Sequence, residues 1–400
     1  MSISVTSEQF VKATPVQVYL AFTRSMRLRE WLCDFATVTP RPGGRMYLWW
    51  NGDFYSAGEF VELEENKRIK FKWFARSEPA ASDVTVTLKE QKDGTQVTLV
   101  HTAPDGEGWA ERLKGFQAEW DSSLPNLAAV LETGLDRRVF DRPMLGINIS
   151  DFSPEIAKAC GIPVSEGIRL AEAREGMGAH AAGLQKDDLI VEFNGKPITN
   201  DFGSLTLALQ GKKGGDKVKV VFYRGPEKKT VTMELSKRPV PEIPSEPQEL
   251  ARQVRAKYDD SLRQLEACFQ GVTEAEAEHE PAPGEWSAKQ TLAHLIHTDR
   301  NWLAGLDDAV GGYERLADDW GGNILAHINA TVAAYGSLKG MLDELKRLSV
   351  EVVTFVAALP LQFVAQKSSY LAYASQILEL GSHTLSHIDQ INGAIAATRK

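Results

Sequence analysis

Lys237-Arg-Pro-Val-Pro-Glu-Ile-Pro-Ser-Glu-Pro247 decides how this chain is read. Its four closely spaced prolines fix φ and remove backbone donors. The stretch therefore favours an extended, polyproline-like spacer that joins neither a helix nor a central strand. The chain beyond Pro247 reads helical, and much of the chain before Lys237 reads as strand. A second, softer boundary lies near Gly134–Arg142, where a helix-like stretch gives way to strand chemistry. The expectation is a multidomain α+β chain with segments 1–136 and 137–238, a Pro-rich linker at 239–247, and a helical bundle over 248–400. The length of 400 residues agrees, being too great for one ordinary core.

Downstream of the spacer the spacing predicts four helices. Gln248–Phe269 carries Leu250, Val254, Tyr258, Leu262, Leu265 and Phe269 three and four residues apart. Ser287, with Gln290 three residues on, is a capping box that opens a second helix. Asn323–Leu359 reads as the third, ended by Pro360, and Ser369–Thr398 as the fourth. In this last helix His383 and His387 stand one turn apart on one side. That separation lets two imidazole nitrogens reach one ion at about 2.0–2.1 Å. A third ligand has to come from another helix, with His294 and His297 as candidates on the second and His327 on the third. On a helical wheel His294 and His383 lie off the apolar stripes and His387 at an edge. A metal in a flank cleft fits this, and so do three exposed histidines.

Pro283-Gly-Glu-Trp-Ser287, His294-Leu295 and His383-x-x-x-His387-x-x-Gln390-Ile391 resemble the two signature segments of the DinB superfamily, over about 248–397. The resemblance implies His294, His383 and His387 as ligands of one divalent ion; imidazole suits zinc, nickel, iron or manganese. Three neutral ligands leave positions for water and substrate, the pattern of a catalytic site. The resemblance further implies a metal-dependent transferase or isomerase acting on a low-molecular-weight thiol. No general base or thiol pocket can be named from the residues. The competing reading is a non-catalytic ligand- and peptide-binding scaffold in a stress response.

Upstream, Ala181-Ala-Gly-Leu184-Gln-Lys-Asp-Asp188-Leu-Ile-Val-Glu-Phe-Asn194-Gly195 is a turn, a buried strand and an Asn-Gly turn. With Gly214-Gly215-Asp216 and the strands Val218–Tyr223 and Thr230–Leu235, it resembles an HtrA-like PDZ domain over about 140–238. Asp187 departs from that pattern, where many relatives carry glycine; aspartate tolerates a left-handed backbone better than most residues. The resemblance implies that Met144, Leu145, Gly146 and Ile147 hold the carboxylate of a C-terminal peptide on backbone amides, with the peptide added as an edge strand.

The first segment reads helix, strands, helix. Thr14-Pro15 starts a helix, Asn51-Gly52 turns a hairpin between Arg45–Trp50 and Phe54–Leu63, and Val84 to Leu88 and Val97 to His101 alternate in polarity. Trp109–Leu131 has helical spacing, with a kink or break expected at Pro125. Ala13-Thr-Pro15, Trp31, Gly43-Gly44, Gly58 and the tryptophan-bearing helix resemble the START-like (SRPBCC) superfamily, especially homologues of the heat-shock ATPase activator. That implies a helix-grip fold around an apolar cavity for a small molecule, with Trp49, Trp50, Trp73 and Phe74 as lining candidates. His101 reads as a core histidine.

Composition narrows the function classes. Net charge is −9, distributed as −4 over 1–136, +3 over 137–244 and −8 over 245–400, which argues against nucleic-acid binding. Cys33, Cys160 and Cys268 are scattered and read as free thiols. No G-x-S-x-G, P-loop or H-E-x-x-H occurs, so neither a protease nor a P-loop enzyme is expected. The most apolar stretch, Val350 to Ala365, is broken by Glu351, Pro360 and Gln362, and the N-terminus has no apolar leader. No membrane span and a cytoplasmic location are therefore expected.

Overall fold

In the computed structural model, which describes residues 2–313 and 323–399, the chain forms two compact units. One combines Met1–Gly134 with Pro241–Lys400; the other is Leu135–Val240.

The first unit begins with a sheet lobe. Strand β1 (Ser2–Val11) precedes helices α1 (Pro15–Thr23) and α2 (Ser25–Trp31), and Thr14 closes the expected capping box with Gln17. Next come strands β2 (Phe35–Val38), β3 (Arg45–Trp50), β4 (Phe54–Glu64), β5 (Arg68–Ala75), β6 (Ser82–Gln91) and β7 (Gly94–Pro104). All pair antiparallel in the order β1-β7-β6-β5-β4-β3-β2. Helix α3 (Trp109–Thr133) lies against β1 and β7 and buries Leu113, Trp120, Leu124 and Leu127. Pro125 sits inside α3 without ending it, so of the kink or break expected there the break does not occur.

The second unit holds α4 (Arg137–Phe140), β8 (Ile147–Ser150), α5 (Pro154–Ala159), β9 (Ile168–Ala173), α6 (Gly178–Ala181), β10 (Leu189–Phe193), β11 (Lys196–Pro197), α7 (Phe202–Leu209), β12 (Lys217–Arg224) and β13 (Glu227–Glu234). Its strand order is β13-β12-β10-β9-β8, with β11 on β10, so β8 is an edge strand. Asp187 adopts the left-handed backbone, φ 70°, that its turn demands. The adjacent Asp188 is fully buried and takes both Nε and Nη2 of Arg224 at 2.8 Å, a bidentate pair that anchors the turn to β12.

The first unit resumes as a helical lobe. Its segments are α8 (Pro247–Cys268), α9 (Glu274–Glu278), α10 (Ala288–Gly311), α11 (Leu325–Tyr335), α12 (Leu338–Ala357), α13 (Leu361–Val364), α14 (Lys367–Ser386) and α15 (Ile388–Ala397). The expected third helix is two, because Gly336 turns left-handed and Ser337 caps a new start. The expected fourth helix is interrupted at His387. The Pro-rich stretch is irregular as expected, yet its far end is tied down: Ile243 packs on the helical core and Tyr370 donates to the Pro244 carbonyl at 2.8 Å. No helix among the described residues is long and apolar enough to cross a membrane.

Candidate metal centre and ligand sites

His294 lies two turns into α10, whose start is held by the reciprocal Ser287–Gln290 capping box. His383 occupies the last turn of α14, and His387 caps its end where α15 begins. Gly381, one turn of helix earlier than Leu385, allows α14 to approach α8 closely: a Cβ there would stand 3.2 Å from the Lys257 carbonyl oxygen. These elements bring the three rings together. Nε2 of His383 lies 3.3 Å from Nε2 of His294 and 3.2 Å from Nε2 of His387, and one ligand atom from each ring lies within 4.8 Å of the others. Two nitrogens bound to one tetrahedral ion at about 2.05 Å stand about 3.3 Å apart. The spacing therefore fits a divalent cation.

The surroundings prepare the nitrogens as ligands. His387 Nδ1 pairs with Gln390 Oε1 at 2.8 Å, which places the ring proton on Nδ1 and leaves Nε2 as a bare lone pair. Burial, then repulsion from His387 and His383, pulls His294 down to about 4, so its ring stays neutral. Burial, then His387, lowers His383 as well. The Nδ1 of His294 is buried, and the Asn323 side chain beside the ring opposes the downward shift. Trp286 tilts against the His294 ring, centroids 5.3 Å apart. His294 is only 9% exposed, which is at odds with three exposed histidines and agrees with a cleft. The His297 ring lies tilted against that of His327, centroids 4.1 Å apart, instead of joining the triad.

In the sheet lobe a cavity of about 450 Å³ is lined by Trp50 and Trp73, together with Phe54, Phe116 and Trp120. Trp49 and Phe74 do not line it. Successive strand residues face opposite ways, so Trp50 and Trp73 point inward while Phe74 is 42% exposed outside. His101 is buried behind the wall. Its Nδ1 accepts from Trp120 Nε1 at 3.2 Å, so Nε2 carries the proton and donates to Ser82 Oγ at 2.8 Å. Burial pushes His101 down to about 4, and it serves as a neutral structural link.

In the second unit Met144 exchanges both backbone bonds with Ser236, at 2.8 and 2.9 Å, and is committed to the fold. Leu145 and Gly146 give their carbonyls to Ala179 and Arg174. Gly146 has φ 75°, and Ile147 opens the edge strand β8. Sequence reasoning missed two features. One is Asp299, buried beside Tyr258, although it stands on the α10 stripe between Ile296 and Trp302. The other is Glu78, on the cavity wall.

Three stretches of the chain match known families. Residues 12–132 match the family described as activator of Hsp90 ATPase homolog 1-like protein, 143–235 the PDZ domain, and 257–391 the DinB superfamily. Among curated proteins, a probable periplasmic serine endoprotease DegP-like of Marinomonas sp. (strain MWYL1) is 33% identical over 98 residues, 24% of this chain and 21% of that protein. The periplasmic pH-dependent serine endoprotease DegQ of Escherichia coli (strain K12) is 34% identical over 114 residues, 28% of this chain and 25% of that protein. The chain thus spans about a quarter of the length of these relatives. Among solved structures, protein MLL2253 from Mesorhizobium loti is 22% identical, covering 32% of this chain and 97% of its own, with a TM-score of 0.30. The Aha1 dimer from Colwellia psychrerythraea is 18% identical, covering 32% and 96%, also with a TM-score of 0.30. The chain therefore carries, in order, a START-like domain of the Hsp90-ATPase-activator type, a PDZ domain and a DinB-superfamily domain.

Proposed function

We propose that the DinB-like domain holds one divalent metal ion on His294, His383 and His387 and acts as a metal-dependent transferase of a low-molecular-weight thiol. The convergence of three imidazole Nε2 atoms carries this reading. Gln390 orients His387, and burial keeps His294 unprotonated, so the chain presents neutral ligands at physiological pH. When bound, such an ion stabilises a thiolate and so supplies a nucleophile at neutral pH. The chain's own contribution is to hold the three rings and to cover one side with Trp286. The test uses the full chain, stripped and reloaded with zinc, nickel, iron or manganese in turn. One equivalent should bind, and the loaded protein should join a small thiol to an electrophile faster than free metal does. Binding without any transfer would overturn the enzyme and leave a metal-binding scaffold.

A second reading concerns the PDZ domain, which we infer captures a free C-terminal peptide at Met144–Ile147. Two observations support it. The chain reverses at Gly146 immediately before β8, and among the described residues β8 pairs on one side only, leaving its other edge for an added strand. Met144, tied to Ser236, would act by holding the loop.

A further inference from the structure

The START-like cavity is aromatic, but its wall is not uniform. Of the charged residues that line it, Arg76, Arg112 and Glu119 are exposed, whereas Glu78 is only 7% exposed. Glu78 Oε2 accepts the Ala75 amide at 2.6 Å. Its Oε1 is buried without a hydrogen-bond partner among the described residues, and so is Nε1 of the neighbouring Trp73. A buried acceptor left without a donor destabilises the fold, and a donor supplied by a guest relieves that cost. Burial also raises the Glu78 carboxyl above its ordinary range, against the Ala75 amide and Arg112, which lower it.

The wall around this carboxyl is held in place. Ser82 Oγ bonds the Trp73 carbonyl at 3.2 Å and His101 at 2.8 Å, while Phe116 stacks on His101 with centroids 4.6 Å apart. Rings fixed at such angles favour flat, aromatic guests in offset or edge-on contact. Two arginines and two glutamates on the wall cancel in charge, which selects neither a cation nor an anion.

We propose that the cavity takes a neutral aromatic ligand bearing one hydroxyl or N–H group, and that Glu78 Oε1 accepts its hydrogen. This rests on reading the cavity as a ligand site. Oε1 has no water-accessible surface, so a guest in the cavity reaches it only when the carboxyl turns toward the cavity. A small turn of the carboxyl then offers Oε1 to the guest while Oε2 keeps the Ala75 amide. A site built around a buried acceptor rejects the analogue that lacks the donor.

The test is calorimetric titration of the full chain with 2-naphthol and with 2-methoxynaphthalene, in which a methyl group replaces the hydroxyl hydrogen. The unaltered protein should bind 2-naphthol about tenfold or more tightly than the ether, the discrimination of a hydrogen bond to a charged group. Glu78→Gln keeps an oxygen for Ala75 and puts an NH₂ donor where Oε1 stood, so the preference should vanish or reverse. Equal binding of both compounds by the unaltered protein, or a preference that survives Glu78→Gln, overturns the proposal while the cavity remains a ligand site. Binding of neither compound overturns the cavity reading and the proposal with it. Naphthalene, smaller than either and without the donor, should also bind the unaltered protein less tightly than 2-naphthol; equal binding overturns the proposal even where the variant folds poorly.

Discussion

Ser369 Oγ donates to Glu30 Oε1 at 2.6 Å and accepts from Arg27 Nη1 at 3.2 Å. This buried hydroxyl ties the first turn of α14, the helix that carries His383, to α2 of the sheet lobe. Lys367 adds a bond to the Glu132 carbonyl, and Met26 packs on the helical core. The START-like and DinB-like domains thus share one compact unit. Ser369→Ala removes a partner from two charged groups and should lower the unfolding free energy by about 1–2 kcal/mol. Urea unfolding measures it; an unchanged midpoint would mean the contact adds nothing to stability.

His294→Ala, His383→Ala and His387→Ala should each abolish stoichiometric metal binding, as measured by elemental analysis after dialysis. Gln390→Ala, which frees the His387 ring to turn, should weaken affinity about 10–100-fold. His297→Ala should change little, because its Nε2 faces Asn301 at 2.8 Å and its ring faces His327. Metal binding should weaken as pH falls, since a protonated ring cannot ligate. The low value of His294, about 4, should let its share of binding persist well below the ordinary imidazole range.

Asp299 accepts from Tyr258 at 3.1 Å, and burial pushes its carboxyl from 3.8 up to about 7. Between those values the unfolded chain has released a proton that the folded chain retains. The contribution of Asp299 to stability is therefore complete below about pH 4 and is lost as pH rises to about 7. At about 1.4 kcal/mol per pH unit the swing is a few kcal/mol. Asp299→Asn keeps an acceptor for Tyr258 and removes the titration. The stability difference between variant and unaltered protein should shift in the variant's favour from pH 4 to pH 7, and a constant difference would contradict it.

Gly146→Ala should disable the PDZ loop. A Cβ there would stand 2.2 Å from Met177 Cβ, on a backbone that side chains rarely adopt. Peptides with free C-termini should bind the unaltered protein more tightly than amidated ones, as read by fluorescence anisotropy, and Gly146→Ala should erase the difference. Equal binding of both peptide forms would count against a carboxylate site.

Much of the architecture was legible because it rests on local rules. The prolines of 237–247 end regular structure wherever they fall, and Ser287–Gln290 and Thr14–Gln17 cap helices by contacts three residues apart. Strand alternation over Val84–Leu88 and Val97–His101 needed only the period of two. The same rule separates Trp50, which lines the cavity, from its strand neighbour Trp49, which does not.

The sequence by itself determined the element types, the order of the three domains and the pair His383–His387, because each depends on residues within a turn or two. Tertiary structure alone decided which further histidine joins that pair. His294 and His297 share a helix, and only the packing of α10 against α14 turns one ring toward His383 and the other toward His327. It also decided the break at His387, the isolation of Glu78 Oε1 and the joining of α2 to α14 through Ser369. Those outcomes depend on burial and on contacts across hundreds of residues, where the free energy comes from neighbours that no local pattern names.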